Sequence, residues 1–216
     1  MMNEEGPAAT PRPRPAVWPW IALGLVLAVG VGWRVFGPGA RPRAADNEPH
    51  PAIGTRLETL ALQPLTGDAQ PLSLDDLRGQ VALVNFWGPW CPPCREEFPH
   101  LAELEQHFRD EPGFRFVSVS ASGGPGDDRD MAQSTAAYLK QQRAQFPTYR
   151  DANSVTRNHL AQVAGLPGIG YPTTVVLDGE GTIRGLWQGY AEGLEREMHR
   201  TIEQALDPQP PPKANP

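Results

Sequence analysis

The sequence predicts an α/β domain in which helices cover a central mixed β-sheet. Short apolar runs typical of buried strands alternate with longer helical patterns along the chain. Two further strand-like runs, 173–178 and 182–188, flank DGEG, a strong hairpin signal. An amphipathic helical pattern follows at 191–206. A strand–helix–strand unit followed by a hairpin and a helix indicates a mixed sheet covered by helices.

The elements of the first half follow in order. The run 56–65 and a second short run that reaches Leu74 are joined by TGDAQ, which is typical of a β-hairpin. VALVNFW (81–87) is a short, mostly apolar run, so we expect a buried strand. The pattern REEFPHLAELEQHF (95–108) is helical, and FRFVSVS (114–120) is a second buried strand.

An insertion of about residues 121–165 separates this second strand from the hairpin near the C-terminus. It begins with the flexible segment SGGPGDDRD, and helical patterns follow at 131–145 and 154–164. The sequence leaves two interpretations open for it. It is either added structure near the functional site that shapes the choice of partner, or a packing embellishment.

The chemistry of the chain is concentrated in FWGPWCPPCREEF (86–98), which contains its only two cysteines, Cys91 and Cys94. A structural disulfide would bridge distant parts of the chain, and a zinc site would need further ligands. A dithiol that opens and closes needs only this pair. The unpaired N–H groups and the dipole at a helix N-terminus favour an anion there, so Cys91 should form a thiolate readily.

The residues around Cys91 support this interpretation. Pro92 and Pro93 suit the first helical turn, where a missing N–H costs nothing, and they stiffen the loop between the sulfurs. Cys94 lies one turn into the helix and is expected to be the more buried, resolving thiol. Trp90 is expected to form a hydrophobic rim for the substrate, with both prolines beside it.

This segment resembles the active-site segment of the thioredoxin superfamily, in particular its membrane-anchored TlpA/ResA-like thiol–disulfide oxidoreductases. The resemblance covers about residues 53–205 and includes the N-terminal hairpin, the W-C-x-P-C motif, the insertion and GYPTTVVLDGEGTI. It implies a thioredoxin-like fold. It also implies a redox-active Cys91–Cys94 disulfide and no other cofactor. The scattered histidines lack paired ligands, so we expect no metal site.

Members of this family carry a proline with a cis peptide bond that faces the dithiol. Pro172, in Tyr171-Pro172-Thr173, matches it by position. The resemblance implies that Pro172 exposes the backbone of Tyr171 to an incoming chain, so Tyr171 and Thr173 are assigned to substrate binding. The alternative is a simple proline at the start of a strand.

A carboxyl group near the dithiol is implied by the same resemblance. Thioredoxins proper often have a buried aspartate where this chain has Asn85, whereas ResA-like proteins have Asn there and a glutamate six residues after the first cysteine. Glu97 matches that glutamate. Such a group raises a thiol pKa by its charge or accepts the proton of Cys94. The alternative is a solvated helix carboxylate like that of Glu96.

The rest of the chain is expected to consist of extensions. The predicted segments are a disordered N-terminus (1–15), a transmembrane anchor (16–36), a linker (37–52), the domain (53–206) and a disordered tail (207–216). Between Arg14 and Arg34 lie 19 uncharged residues, enough for a helix to cross the hydrocarbon core of a bilayer. A cleaved signal peptide is the alternative, but the apolar run is long for one and no A-x-A site follows.

Two arguments about topology oppose each other. Two arginines precede the apolar run and three follow it, which leans against an exported C-terminus. A reversible dithiol on an anchored domain instead favours the extracytoplasmic, periplasmic side, where an oxidising background creates a need for a dedicated reductant. We expect a single-pass membrane protein of that second topology.

The predicted function is reduction of protein disulfides. The resemblance implies exported substrates such as apocytochrome c, a role in cytochrome c biogenesis, and a transmembrane thiol electron donor. Two alternatives stay open: a disulfide-donating oxidase or isomerase, and a non-catalytic binding module with a structural disulfide. The chain has a formal net charge of −6 and no basic footprint, so nucleic acid is not an expected partner.

Overall fold

The computed structural model describes residues 50–124 and 128–207. The strands are β1 (Ala61–Thr66), β2 (Leu72–Ser73), β3 (Val81–Trp87), β4 (Phe114–Ser120), β5 (Thr148–Arg150), β6 (Thr173–Leu177) and β7 (Ile183–Gln188). The helices are α1 (Pro92–Phe108), α2 (Asp128–Gln142), α3 (Val155–Val163) and α4 (Leu194–Leu206). Short 3₁₀ turns occupy Asp75–Leu77 and Ala152–Ser154.

The strands form one mixed sheet in the order β2-β1-β5-β4-β3-β6-β7. β3, β4 and β5 are parallel, and the other neighbouring pairs are antiparallel. The predicted α/β class and mixed sheet are confirmed. So is the N-terminal hairpin, in which Ala61 of β1 pairs with Ser73 of β2.

Strand β3 lies at the centre of the sheet and is buried on both faces. Ala82, Val84 and Phe86 pack with the N-terminal hairpin and α3 in one core, whereas Val81 and Leu83 pack with α1 and α4 in the other. Successive side chains of a strand point to opposite faces, so a strand covered by helices on both sides is mostly apolar. This explains the run VALVNFW, in which Asn85 is the one polar residue.

Strand β5 was not predicted. Thr148–Arg150 lies in the insertion and pairs with β4 on one side, Ser118 opposite Thr148, and with β1 on the other, Pro64 opposite Tyr149. Three residues are too few to show a strand periodicity, so no strand pattern is visible here in the sequence. The insertion is therefore a structural part of the sheet, and it joins the N-terminal hairpin to the central strands.

The predicted disordered N-terminus (1–15) and the predicted anchor (16–36) lie outside the described residues. So do residues 37–49 of the predicted linker and residues 208–216 of the predicted tail. Ala52, the last residue of the predicted linker, is fully buried in the core beside the hairpin. Within residues 50–124 and 128–207, every helix is too short or too polar to cross a membrane.

Candidate active site

The dithiol lies where β3 gives way to α1. Cys91 is the N-cap residue of α1, and its N–H donates to the carbonyl of Gly88 at 3.1 Å. Pro92 and Pro93 occupy the first positions of the helix, as predicted. Cys91 and Cys94 form a disulfide with Cα atoms 5.3 Å apart. Both cysteines are buried, so the expected difference in their burial is small.

The Tyr171–Pro172 peptide bond is cis, as the resemblance implied. The carbonyl of Pro172 accepts a hydrogen bond from the N–H of Gly189 at 2.8 Å, and the Thr173 hydroxyl donates to the carbonyl of Gly170 at 3.0 Å. Tyr171 is half-buried and packs against the apolar cluster that contains both cysteines. The structure thus brings the proline segment to the dithiol. Thr173 itself is fully buried, so it supports this segment from within the sheet.

Glu97 is a buried residue of the dithiol helix α1 rather than a solvated one. Its Oε2 accepts a hydrogen bond from Asn85 Nδ2 at 3.0 Å, and its Oε1 accepts one from the Thr174 hydroxyl at 3.0 Å. Burial raises the pKa of Glu97 to about 7, although the hydrogen bonds from Thr174 and Asn85 act in the opposite direction. Its neighbour Glu96 is exposed. Glu97 is therefore a carboxyl group that titrates near neutrality.

Thr174 is a site residue that sequence reasoning missed. Its hydroxyl accepts a hydrogen bond from Asn85 Nδ2 at 2.9 Å while it donates to Glu97, and its side chain is fully buried. Asn85 and Thr174 lie directly opposite each other in the β3–β6 pairing. The sequence shows only that Thr174 is the second threonine after Pro172. That it meets Asn85 and Glu97 depends on the register in which β6 pairs with β3.

Trp90 forms an exposed rim beside the disulfide, as predicted. Its side chain is 47% exposed, its Nε1 donates to the carbonyl of Ala121 at 2.9 Å, and its ring meets the ring of Tyr171 edge-on at 5.6 Å. Pro92 is exposed and Pro93 half-buried on the same surface. These residues present an apolar border to anything that approaches Cys91.

The insertion contributes a second wall that sequence reasoning did not assign. The guanidinium of Arg157 lies 5.0 Å over the ring of Tyr171. A cavity of about 650 Å³ separates this wall from Trp90. In the described part of the chain, histidine, cysteine and acidic side chains form no cluster of three or more that could hold a metal ion.

Comparisons with known proteins agree with this geometry. A model of the AhpC/TSA family matches residues 53–186. The chain is 33% identical over 165 residues to the thiol:disulfide interchange protein HelX of Rhodobacter capsulatus, covering 74% of this chain and 80% of HelX. It is 26% identical over 159 residues to the thiol-disulfide oxidoreductase ResA of Bacillus subtilis, covering 74% of this chain and 77% of ResA.

A solved structure is similar over nearly its whole length. It is a putative thiol:disulfide interchange protein DsbE from Chlorobium tepidum, with a TM-score of 0.56 and 25% identity over 71% of this chain and 97% of the other. Chemically, the site joins a dithiol at a helix N-terminus to a carboxyl group that titrates near neutral pH, beneath an exposed aromatic rim.

Proposed function

Since the chain belongs to the AhpC/TSA family and is a thioredoxin-like thiol–disulfide oxidoreductase of the ResA/HelX type, we propose that it reduces disulfides in exported proteins. Apocytochrome c is the substrate that we propose first. The observation that carries the proposal is the Cys91–Cys94 disulfide at the N-terminus of α1. A helix N-terminus stabilises a thiolate, and a thiolate is the species that attacks a disulfide.

The proposed reaction proceeds in two exchanges. In the reduced protein the Cys91 thiolate attacks one sulfur of the substrate disulfide, and the other substrate sulfur leaves as a thiolate. Cys94 then loses its proton and attacks the sulfur of Cys91. This step restores the Cys91–Cys94 disulfide and releases the second substrate thiolate. Two electrons have passed to the substrate, and a transmembrane thiol donor returns two electrons to the protein.

Glu97 is the group that we propose for the proton of Cys94. It lies one turn beyond Cys94 on α1, and its pKa of about 7 lets it both accept and release a proton near neutral pH. Pro172 and Tyr171 would orient the substrate chain against the dithiol by backbone contacts, with Trp90 and the prolines of the motif as its apolar border.

We further propose that the apolar run 16–36 anchors the protein and that the domain lies on the extracytoplasmic side. The support is the redox argument, since a reducing dithiol has a specific task where disulfides persist. The names of the relatives add nothing on substrate or donor beyond thiol–disulfide interchange.

The equilibrium reduction potential of the Cys91–Cys94 couple in the full-length protein tests the direction of electron flow. The titration would use glutathione and dithiothreitol ratios, followed by the fluorescence of the nearby tryptophans. A potential near or below about −220 mV supports a reductase, and a value near about −120 mV makes the protein an oxidant.

Replacement of Cys91 by Ser tests the mechanism itself. We expect C91S to reduce no protein disulfide, since it lacks the thiolate at the N-terminus of α1 that attacks the substrate. Reduction by C91S at the wild-type rate overturns the mechanism. If Cys91 in the reduced protein fails to react with an alkylating reagent at neutral pH, the protein is a binding module with a structural disulfide.

A further inference from the structure

A groove beside the disulfide is formed partly by the active-site motif and partly by the insertion. We call it the insertion groove; its cavity is about 650 Å³. Its lining includes Trp90, Tyr171, the segments 120–124 and 150–154, and Arg157. Trp90 directly precedes Cys91 and Tyr171 directly precedes Pro172, so the groove lies next to the dithiol segment.

Arg157 is held in place on the insertion side of this groove. Its guanidinium stacks over the ring of Tyr171 at 5.0 Å, and its Nη2 donates to the hydroxyl of Ser154 at 3.1 Å. The side chain is half-buried. Among the side chains that the structure describes, those of residues 50–124 and 129–207, no carboxylate forms an ion pair with it. A guanidinium carries five N–H donors in one plane, so stacking on a ring leaves its other N–H edges free for a ligand.

The carboxylate nearest to Arg157 in sequence is already committed to the backbone. Asp151 Oδ1 accepts the N–H of Thr156 at 3.0 Å, and Asp151 Oδ2 accepts the N–H of Arg157 at 2.8 Å. Both of its oxygens thus cap the first turn of α3, where a negative charge is favourable. Among the described side chains, the guanidinium of Arg157 therefore faces the groove without a carboxylate partner.

The backbone of this wall adopts an unusual conformation. Asn153 and Ser154 both have left-handed backbone, with φ of 56° and 55°. Such conformations cost free energy in residues other than glycine and persist only where surrounding structure fixes them. Here they place the Ser154 hydroxyl against Arg157, which orients the guanidinium at the groove.

We propose that the insertion groove binds the substrate segment next to its disulfide and selects segments with a carboxylate side chain, which Arg157 receives. This inference rests on the proposed function, because the ligand is the disulfide substrate itself. Trp90 and Tyr171 precede Cys91 and Pro172 in the chain, and their rings meet at 5.6 Å on the groove. Residues that flank a sulfur bound at Cys91 therefore lie next to the groove. A carboxylate there can accept two N–H groups of the planar guanidinium, which a neutral or cationic side chain cannot do.

The test uses the reduced full-length protein and disulfide-bonded peptides that differ at one position, which carries Glu, Gln or Lys. The position is moved through three residues on each side of the attacked cysteine. The readout is the ratio of kcat/KM for the Glu peptide to that for the Gln peptide within one protein variant. A hydrogen-bonded charge pair predicts a ratio of about ten at one position, with the Lys peptide slower than the Gln peptide.

Two variants and one control assign the preference to Arg157. Arg157→Gln should bring the ratio close to one. Arg157→Lys should leave an intermediate ratio, because lysine keeps the positive charge but lacks the planar guanidinium that can bind both oxygens of a carboxylate. Arg95→Gln is the control, since Arg95 lies on α1 near Tyr138 and outside the groove; its ratio should stay at the wild-type value.

Equal rates for the three peptides at every position, or faster reduction of a Lys peptide, overturn the inference. So does a wild-type ratio in Arg157→Gln. If circular dichroism shows that Arg157→Gln does not fold, the test uses the Glu/Gln ratio of Arg157→Lys instead. A ratio equal to that of the wild-type protein then overturns the inference. If the wild-type protein reduces none of the peptides and no small neutral disulfide, the proposed function fails instead.

Discussion

Asn85 Nδ2 donates a hydrogen bond to Glu97 Oε2 over 3.0 Å, so an amide from β3 meets a carboxyl group from α1 in the interior. Both side chains are only 1% exposed. Burial disfavours the charged form of Glu97 more than its two hydrogen bonds favour it, and its pKa rises to about 7. The protein thereby keeps a group beside its dithiol that changes charge in the neutral range.

The first prediction concerns stability and Glu97. The pKa of this carboxyl group is raised from its usual 4.5 to about 7 in the folded protein. Below pH 4.5 both folded and unfolded chains hold the proton; as pH rises from 4.5 to about 7 only the unfolded chain releases it, so stability is lost. The loss is about 3 kcal/mol. Glu97→Gln should remove this pH dependence in urea unfolding between pH 4.5 and 8.

The neighbouring carboxylate offers a matched control for that experiment. Glu96 lies on the same helix but is exposed, so Glu96→Gln should keep the wild-type dependence of unfolding free energy on pH. Equal slopes for the wild-type protein and Glu97→Gln would contradict the assignment of the titration to Glu97.

The second prediction concerns Thr174, which donates to Glu97 Oε1 at 3.0 Å. This hydrogen-bond donor favours the charged form of the Glu97 carboxyl group. Thr174→Val keeps the shape of the side chain but removes the donor. The pKa of Glu97 should rise further, and the pH range in which stability is lost should extend to higher pH. The variant should also lose about 1–3 kcal/mol of unfolding free energy above neutral pH. Urea unfolding across the same pH series measures both effects.

Thr148→Val is the control for the loss of a buried hydroxyl. Thr148 donates to the hydroxyl of Ser118 at 3.1 Å and makes no bond to Glu97. It should lower stability without extending the pH range. A Thr174→Val protein with the wild-type pH profile would show that this hydroxyl does not act on the carboxyl group.

The third prediction concerns the rim at Trp90. A Cβ atom at Gly123 would lie 2.8 Å from Trp90 Cγ, so Gly123→Ala must displace the indole and weaken its hydrogen bond to the Ala121 carbonyl. We expect altered tryptophan fluorescence and a several-fold slower reduction of protein disulfides. At Gly124 a Cβ atom would meet nothing within 4 Å. Gly124→Ala should therefore match the wild-type protein, and a Gly123→Ala variant with unchanged emission and rate would refute the packing argument.

The fourth prediction concerns Arg143, which follows α2 with φ of 57°. Left-handed backbone costs a side-chain-bearing residue roughly 1–2 kcal/mol, and glycine avoids this cost. The greater freedom of glycine in the unfolded chain offsets about 0.5–1 kcal/mol of the gain. Arg143→Gly should therefore raise the free energy of unfolding by about 0.5–1 kcal/mol.

Arg143 is exposed, so few contacts complicate that comparison. Arg143→Ala removes the same side chain but keeps a Cβ atom, and it should give no comparable gain in denaturant unfolding. An equal gain in both variants would place the effect in the side chain rather than in the backbone.

The sequence predicted those parts of the fold that are encoded locally. β3 and β4 have the predicted bounds because their buried side chains leave short, mostly apolar runs in the sequence. The positions of Cys91 and Pro172 followed from short motifs with local causes, a helix start and an X-Pro bond. The carboxyl group of Glu97 followed from the family resemblance, and its burial decides against the solvated alternative.

The parts that could not be predicted depend on contacts between distant segments. β5 is a strand only because β1 and β4 flank it, and nothing in Thr-Tyr-Arg shows this. Thr174 reaches Glu97 because β6 pairs with β3 in one particular register. Arg157 lies at the site because the ring of Tyr171 comes to lie beneath its guanidinium. The predicted anchor lies outside the described residues and remains a prediction.

The place of β5 in the strand order has a consequence for how the chain assembles. The N-terminal hairpin is made first on the ribosome, yet β1 joins the central strands through β5, which is synthesised much later. The hairpin must wait for its neighbour, and such non-local pairing slows folding. Excision of residues 121–150 would therefore leave two open strand edges, one on β4 and one on β1, and open edges invite aggregation. An engineer who trims the insertion must supply a replacement strand.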